Sequence, residues 1–217
     1  MLETGKVRVI PAQVSEETLK ADLENYKQKA LQLGASQVEI IPAHWVQVDE
    51  RVRLKCAIPP CGHYGRSSYC PPHTPEPEFM RKALSRFKWA VLFKHDVVPV
   101  EDFSDITRYY PHGEKHQRKT MEIAAKIELL AYADGYHFAM GLGAGSCVDS
   151  FCHGRMCEML DSGRCPYILK ARPSMEAVGI DVCDLVNKVG WIIYPCYNSA
   201  DPKSVPSAIS VGIVFIH

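Results

Sequence analysis

The spacing of apolar residues changes several times along the chain, and each change marks an expected element. Ser15 is followed by glutamates and then by Leu19, Leu23, Tyr26 and Leu31 at roughly helical spacing, which predicts a capped amphipathic helix ending near Gly34. Val38 to Val48 alternates well enough for one or two strands. Both periods then fail, because Cys56 to Pro77 is saturated with proline and glycine and reads as a loop. Glu78 to Phe87 is expected to form a short helix and Trp89 to Val98 a buried strand.

After a turn at Tyr109 to Gly113, the segment Lys119 to Ala133 is rich in helix formers, with Met121, Ile127 and Leu130 among its apolar members. It is the longest expected helix. Tyr136 to Leu142 reads as a strand that runs into Gly141, Gly143 and Gly145. Ser174, with Glu176 close behind, can cap a short turn. Val182 to Val189 adds a helix, and Trp191 to Tyr194 and Ala208 to Ile216 two more strands. The order predicts an α/β chain, residues 1–217 forming one domain with a mixed sheet and helices packed on it.

Composition changes this picture little. At 217 residues, with 47% apolar and 23% charged positions, the chain can bury a core without covalent staples. Lys plus Arg and Asp plus Glu are 25 each, so no long-range field draws it to nucleic acid or anionic lipid, and neither is an expected partner. Met1 to Ala12 lacks the apolar core of a secretory signal, and no run approaches the roughly 20 apolar residues of a spanning helix. A cytoplasmic protein is expected. No serine nucleophile elbow, phosphate loop or dinucleotide fingerprint is present, which leaves hydrolase, nucleotide-hydrolase and dehydrogenase readings without support.

Cysteine changes the picture most. Nine is a high count where disulfides rarely persist, and seven of them fall in two groups, Cys56, Cys61, Cys70 and Cys147, Cys152, Cys157, Cys165. Both groups are read as metal-binding loops. In the second, five residues on an α-helix turn about 500°, leaving neighbours roughly 140° apart, so the segment must wrap irregularly if its thiolates converge. Gly143, Gly145, Gly154 and Gly163 supply the backbone freedom for that. Cys165 precedes Pro166, the ending of bacterial ferredoxin runs, and four thiolates match the demand of one four-iron cluster. Arg155, Arg164, Lys170 and Arg172 can offset its charge or form a solvated face. Zinc is the alternative, although its knuckles are usually tighter.

The first group offers three thiolates where a closed cluster wants four. His63, His73 or Cys196 could complete the set, or one iron stays open for water, substrate or sulfur. In that case His63, Tyr64 or Arg66 would position the substrate. Arg172 could hold a carboxylate or phosphate, while the alternative for Arg172 to Val182 is a capped helix locked into the core by Met175 and Val178. His112 and His116 are expected at the surface and Cys183 in core packing.

Lys55-Cys56 through Cys61, Tyr64-Gly65, Cys70-Pro71-Pro72, Gly143 to Cys147, Arg172 to Ala177 and Gly179 to Val182 together resemble the family described as predicted metal-binding proteins, domain of unknown function 2284. The resemblance spans roughly residues 40 to 195 and implies metal binding without naming a reaction. This chain departs from the family pattern in the wider spacing of Cys147, Cys152 and Cys157. Three readings follow: an iron-sulfur redox protein with one or two [4Fe-4S] clusters that passes electrons to a partner enzyme, an enzyme or maturation factor with an open iron and a small-molecule substrate, and a zinc-stabilised binding module. Whether the chain is an enzyme, and whether it forms a homo-oligomer, are left open.

Overall fold

The computed structural model describes residues 7–11, 13–196 and 201–217. Of the Met1 to Ala12 reading, residues 1–6 and 12 lie outside the described residues. The architecture is mixed α/β, built on a four-stranded sheet that is antiparallel throughout. Its strands are β1 (Gln37–Pro42), β2 (Trp89–Asp96), β3 (Met140–Leu142) and β4 (Ile209–Phe215), in the order β1-β2-β4-β3. Among the described residues no helix is long and apolar enough to cross a membrane.

Period-two alternation explains how the sheet buries both faces. On one face Val38, Val91, Phe93 and Val214 pack against α1 (Glu16–Gln32) and α6 (Glu114–Ala133) through Leu19, Leu23, Tyr26, Ile123 and Ile127. On the other face Ile41, Leu92, Ile213 and Phe215 meet Met80 of α3 (Pro77–Leu84), Leu185 of α9 (Val182–Lys188), and Met175 and Ile180. Ser15 caps α1 as expected, its hydroxyl accepting from the Thr18 amide at 3.1 Å.

Several expectations need correction. The strand after Val38 stops at Pro42, because Ala43–Trp45 turn into a 3-10 helix. A helix absent from the sequence reading, α2 (Glu50–Ala57), is started by Asp49 and carries Cys56 in its last turn, so the first cysteine group does not lie wholly in a loop. Its residues are all at least partly exposed and so give no apolar stripe. Tyr136 to Leu142 is strand only over its last three residues. Trp191 to Tyr194 is not a strand: it runs past the sheet without a pairing partner, and Trp191 packs into the core. The longest helix starts five residues earlier than expected, at Glu114.

His116 is also corrected. It is only 5% exposed, and its Nε2 stands 3.1 Å from Asp102 while its Nδ1 is 2.8 Å from His95 Nε2. His112 is exposed as expected. Asp102 further accepts from Lys115 at 2.7 Å and Arg108 at 3.0 Å, pinning α4 (Glu101–Ser104) and α5 (Ile106–Arg108) to α6. Burial, helped by the charges of Lys119 and His116, pushes His95 down to about 4, and burial outweighs Asp102 in lowering His116. The unfolded chain therefore takes up protons below about pH 6.5 that the folded pair refuses. Stability is expected to fall as pH drops from about 6.5 to 4. Thermal melts followed by circular dichroism across that range check this, and a flat Tm would contradict it.

Candidate metal centre

The second cysteine group occupies two short helices broken between them. Cys147 and Cys152 open and close α7 (Cys147–Cys152), and His153 and Gly154 then both adopt left-handed backbone, with φ of 52° and 71°. That reversal does what a continuous helix cannot, since it swings Cys157 back towards Cys147. Cys157 caps α8 (Glu158–Ser162), and Cys165 follows just beyond it. Cys147, Cys152, Cys157 and Cys165 line one small hollow of about 10 Å³ with Phe151 and Tyr167 at its wall. Those two rings stack at 5.3 Å.

The first group ends in the segment Ser67 to Cys70. Cys56, Cys61 and Cys70 line a cavity of about 1150 Å³, and the Cys61 amide donates to the Cys56 carbonyl at 2.9 Å. Ser67 is fully buried, with its hydroxyl 3.3 Å from Cys147 Sγ and accepting from the Tyr69 amide at 3.2 Å. Ser146 Oγ lies 3.7 Å from Cys70 Sγ, and Ser68 Oγ lies 3.7 Å from Cys157 Sγ. Three hydroxyls thus stand among the thiols of both groups.

The thiols differ in acidity. Burial pushes Cys147 up to about 12 and raises Cys56, Cys70 and Cys152. Burial would also raise Cys157, but the amides of Ser68, Leu160 and Met159 and the Ser68 hydroxyl outweigh it and hold that thiol below its ordinary value. As the N-cap of α8, Cys157 is the sulfur best stabilised as a thiolate.

Among the described residues no set of three or more His, Cys, Asp and Glu side chains is drawn close enough to hold a single metal ion. A lone zinc at about 2.3 Å from each sulfur needs those sulfurs within about 4 Å of one another. A cluster spreads its thiolates over several irons and needs them further apart. The donors present, four cysteines around one hollow, fit the cluster in chemistry, and holding one requires the hollow to widen.

The structure also places the remaining candidates. Cys196 and His63 line the large cavity with the first group, and His73 is exposed outside it. His63 Nε2 is already engaged, 2.9 Å from Asp149 Oδ2 and 3.3 Å from the Tyr110 hydroxyl. Cys183 is exposed and lines the same cavity, contrary to the core-packing expectation. Arg172 is buried on Glu128 in a two-point pair at 2.9 and 2.7 Å, so its fork is taken by the protein itself. Met175 and Val178 are buried and Ser174 accepts from the Ala177 amide at 3.1 Å, as expected of a cap locked into the core, but the capped element is a 3-10 turn of Glu176–Val178, shorter than the expected helix. Arg155 and Arg164 are exposed, and Lys170 reaches Glu122 at 3.6 Å.

Sequence reasoning missed Ser67, Ser68 and Ser146, although each stands within three residues of a candidate ligand. Glu114, Gln117 and Asp149, which also line the large cavity, had no signal at all. Residues 39–216 match the family described as Predicted metal-binding protein (DUF2284). No curated protein and no solved structure matches the chain.

Proposed function

This chain belongs to the DUF2284 family of predicted metal-binding proteins, and on that premise we propose that it is an iron-sulfur redox protein passing electrons to a partner enzyme. Cys147, Cys152, Cys157 and Cys165 would hold one four-iron cluster, and Cys56, Cys61 and Cys70 a second with one iron free of protein thiolate. The observation that carries this reading is the gathering of four cysteines around one hollow, with serines of the first group's segment, Ser67 and Ser68, against Cys147 and Cys157. A bound cluster supplies one-electron transfer and, at an open iron, Lewis acidity.

The chain's own residues would tune that chemistry. Ser67 would donate a hydrogen bond from its hydroxyl to a thiolate sulfur and so favour the more negative, reduced state. It stands three residues before Cys70 and 3.3 Å from Cys147 Sγ, which brings a polar side chain from the first group's segment onto the second group. Ser67→Ala is expected to lower the reduction potential on the order of tens of millivolts. Redox titration followed by EPR checks this, and an unchanged potential would show that the hydroxyl points elsewhere in the loaded protein.

A second reading, an enzyme or maturation factor with an open iron, is favoured by the size of the cavity over Cys56, Cys61 and Cys70. Cavities of this volume take small molecules, which simple electron transfer does not need. Anaerobic purification with iron, sulfide and zinc analysis tests the common premise. About eight irons with matching sulfide are expected per chain, with loss of roughly half in Cys147→Ser. Stoichiometric zinc without sulfide would overturn both readings in favour of a zinc-stabilised module.

A further inference from the structure

The three thiols of the first group leave one position of a four-iron cluster to another donor. His63, His73 and Cys196 are the candidates in the sequence, and the structure separates them. His73 is exposed outside the cavity. Cys196 lines it but packs against the cluster of Val97, Phe103, Tyr109 and Ala208, and its thiol donates to the Tyr194 carbonyl at 3.5 Å.

His63 belongs to the loop of the first group itself. The Tyr64 amide donates to the Cys61 carbonyl at 2.9 Å, closing a turn with His63 in its third place, and the His63 amide faces Cys61 Sγ at 3.5 Å. An amide aimed at sulfur favours the thiolate form that binds iron. Cys56, Cys61, Cys70 and His63 share a cavity of about 1150 Å³, which has room for a four-iron cube.

The ring is held by one nitrogen and free at the other. Nε2 stands 2.9 Å from Asp149 Oδ2 and 3.3 Å from the Tyr110 hydroxyl. A carboxylate at Nε2 fixes the ring hydrogen there and leaves a lone pair on Nδ1. Nδ1 has no partner among the described residues and is not sealed from solvent, with 23% of the side chain open. Asp149 adds a second reason. It is 5% exposed, and among the described residues it pairs with no lysine or arginine. A carboxylate so buried calls for positive charge, and a metal on the opposite nitrogen supplies it through the ring, as in carboxylate–histidine–metal chains.

We propose that His63 is the fourth protein ligand of the first cysteine group, taking one iron through Nδ1, with Asp149 as the residue that positions its ring. The proposal rests on the iron-sulfur reading above and closes that cluster with three thiolates and one neutral imidazole. Exchanging an anionic ligand for a neutral one raises the reduction potential, which favours electrons on the first group over the second.

The test uses the full chain, purified anaerobically, with iron, sulfide and zinc measured on the same sample. Histidine is supplied with heavy nitrogen in the imidazole ring alone, because the His63 amide also faces sulfur. Pulsed EPR of the reduced protein is expected to show a strongly coupled nitrogen whose signal changes with that label. His63→Ala is expected to abolish the signal and added imidazole to restore it, while His73→Ala and Cys196→Ala leave it in place. His63→Cys is expected to keep the iron, lose the nitrogen signal and lower the potential of one cluster. Asp149→Asn is expected to keep the signal and to hold that cluster about tenfold more weakly against a chelator. The labelled parent protein decides the central point even where a variant fails to fold. Iron and sulfide without a coupled ring nitrogen, or a ring signal that survives His63→Ala, would overturn the proposal and leave the iron-sulfur reading standing. Stoichiometric zinc without sulfide would overturn both.

Discussion

Glu128→Ala is expected to destabilise the protein by about 3–5 kcal/mol and to release its metal. Glu128 projects from α6 and accepts both Nε and Nη2 of Arg172, at 2.9 and 2.7 Å, while the same carboxylate receives the Gly141 amide of β3. Its loss strands a guanidinium that is only 11% exposed, with the carbonyls of Ile168 and Ala171 as its remaining partners. An uncompensated buried charge costs far more than the pair contributes when intact. Arg172 also closes the segment that carries Cys165, so loosening it lets the second cysteine group drift apart. In a chain of this length the fall corresponds to a drop in Tm of roughly 10 °C. Replacing both partners with apolar residues, Glu128→Leu with Arg172→Met, is expected to recover most of that loss, because neither charge is then left buried alone. A single variant within about 1 kcal/mol of the parent would show that the guanidinium reaches water on its own.

Gly145→Ala is expected to cost about 2–5 kcal/mol and to prevent loading of the second cysteine group. Gly145 has φ of 67°, and a Cβ there would overlap the Gln117 carboxamide. That carboxamide cannot swing clear, since it is buried and bonded to Tyr109. The strain falls two residues before Cys147, in the turn leaving the bridge between Gly143 and Ser174. Denaturant melts together with iron content check the prediction. Adding Gln117→Ala removes the overlap and leaves only the left-handed backbone cost, so the double variant should regain about half the stability. No regain would place the strain in the backbone alone.

The elements that were legible in the sequence are those whose periodicity comes from facing one core. Leu19, Leu23 and Tyr26 mark α1 because they meet the sheet, and β2 and β4 read as near-continuous apolar runs because both faces of each strand are covered. The Cys56 helix was not legible, since it is held by its Asp49 cap and by Arg53 reaching the carbonyls of Pro75 and Ala177. Such a helix has polar anchors and no apolar stripe. His116 illustrates the same limit: a histidine flanked by charged residues reads as surface, and only Asp102 and His95, brought from other elements, explain its burial.

By itself the sequence determined the chemistry available: seven thiols in two groups, with glycines and prolines able to bend the backbone around an ion, because side-chain type and local backbone freedom are local properties. Tertiary structure decided everything that depends on distance. It set Ser67 against Cys147, gave Arg172 to Glu128, and opened a wide cavity beside Cys56, Cys61 and Cys70. These contacts join residues dozens of positions apart, and no spacing along the chain encodes which charges will meet and which will be left alone.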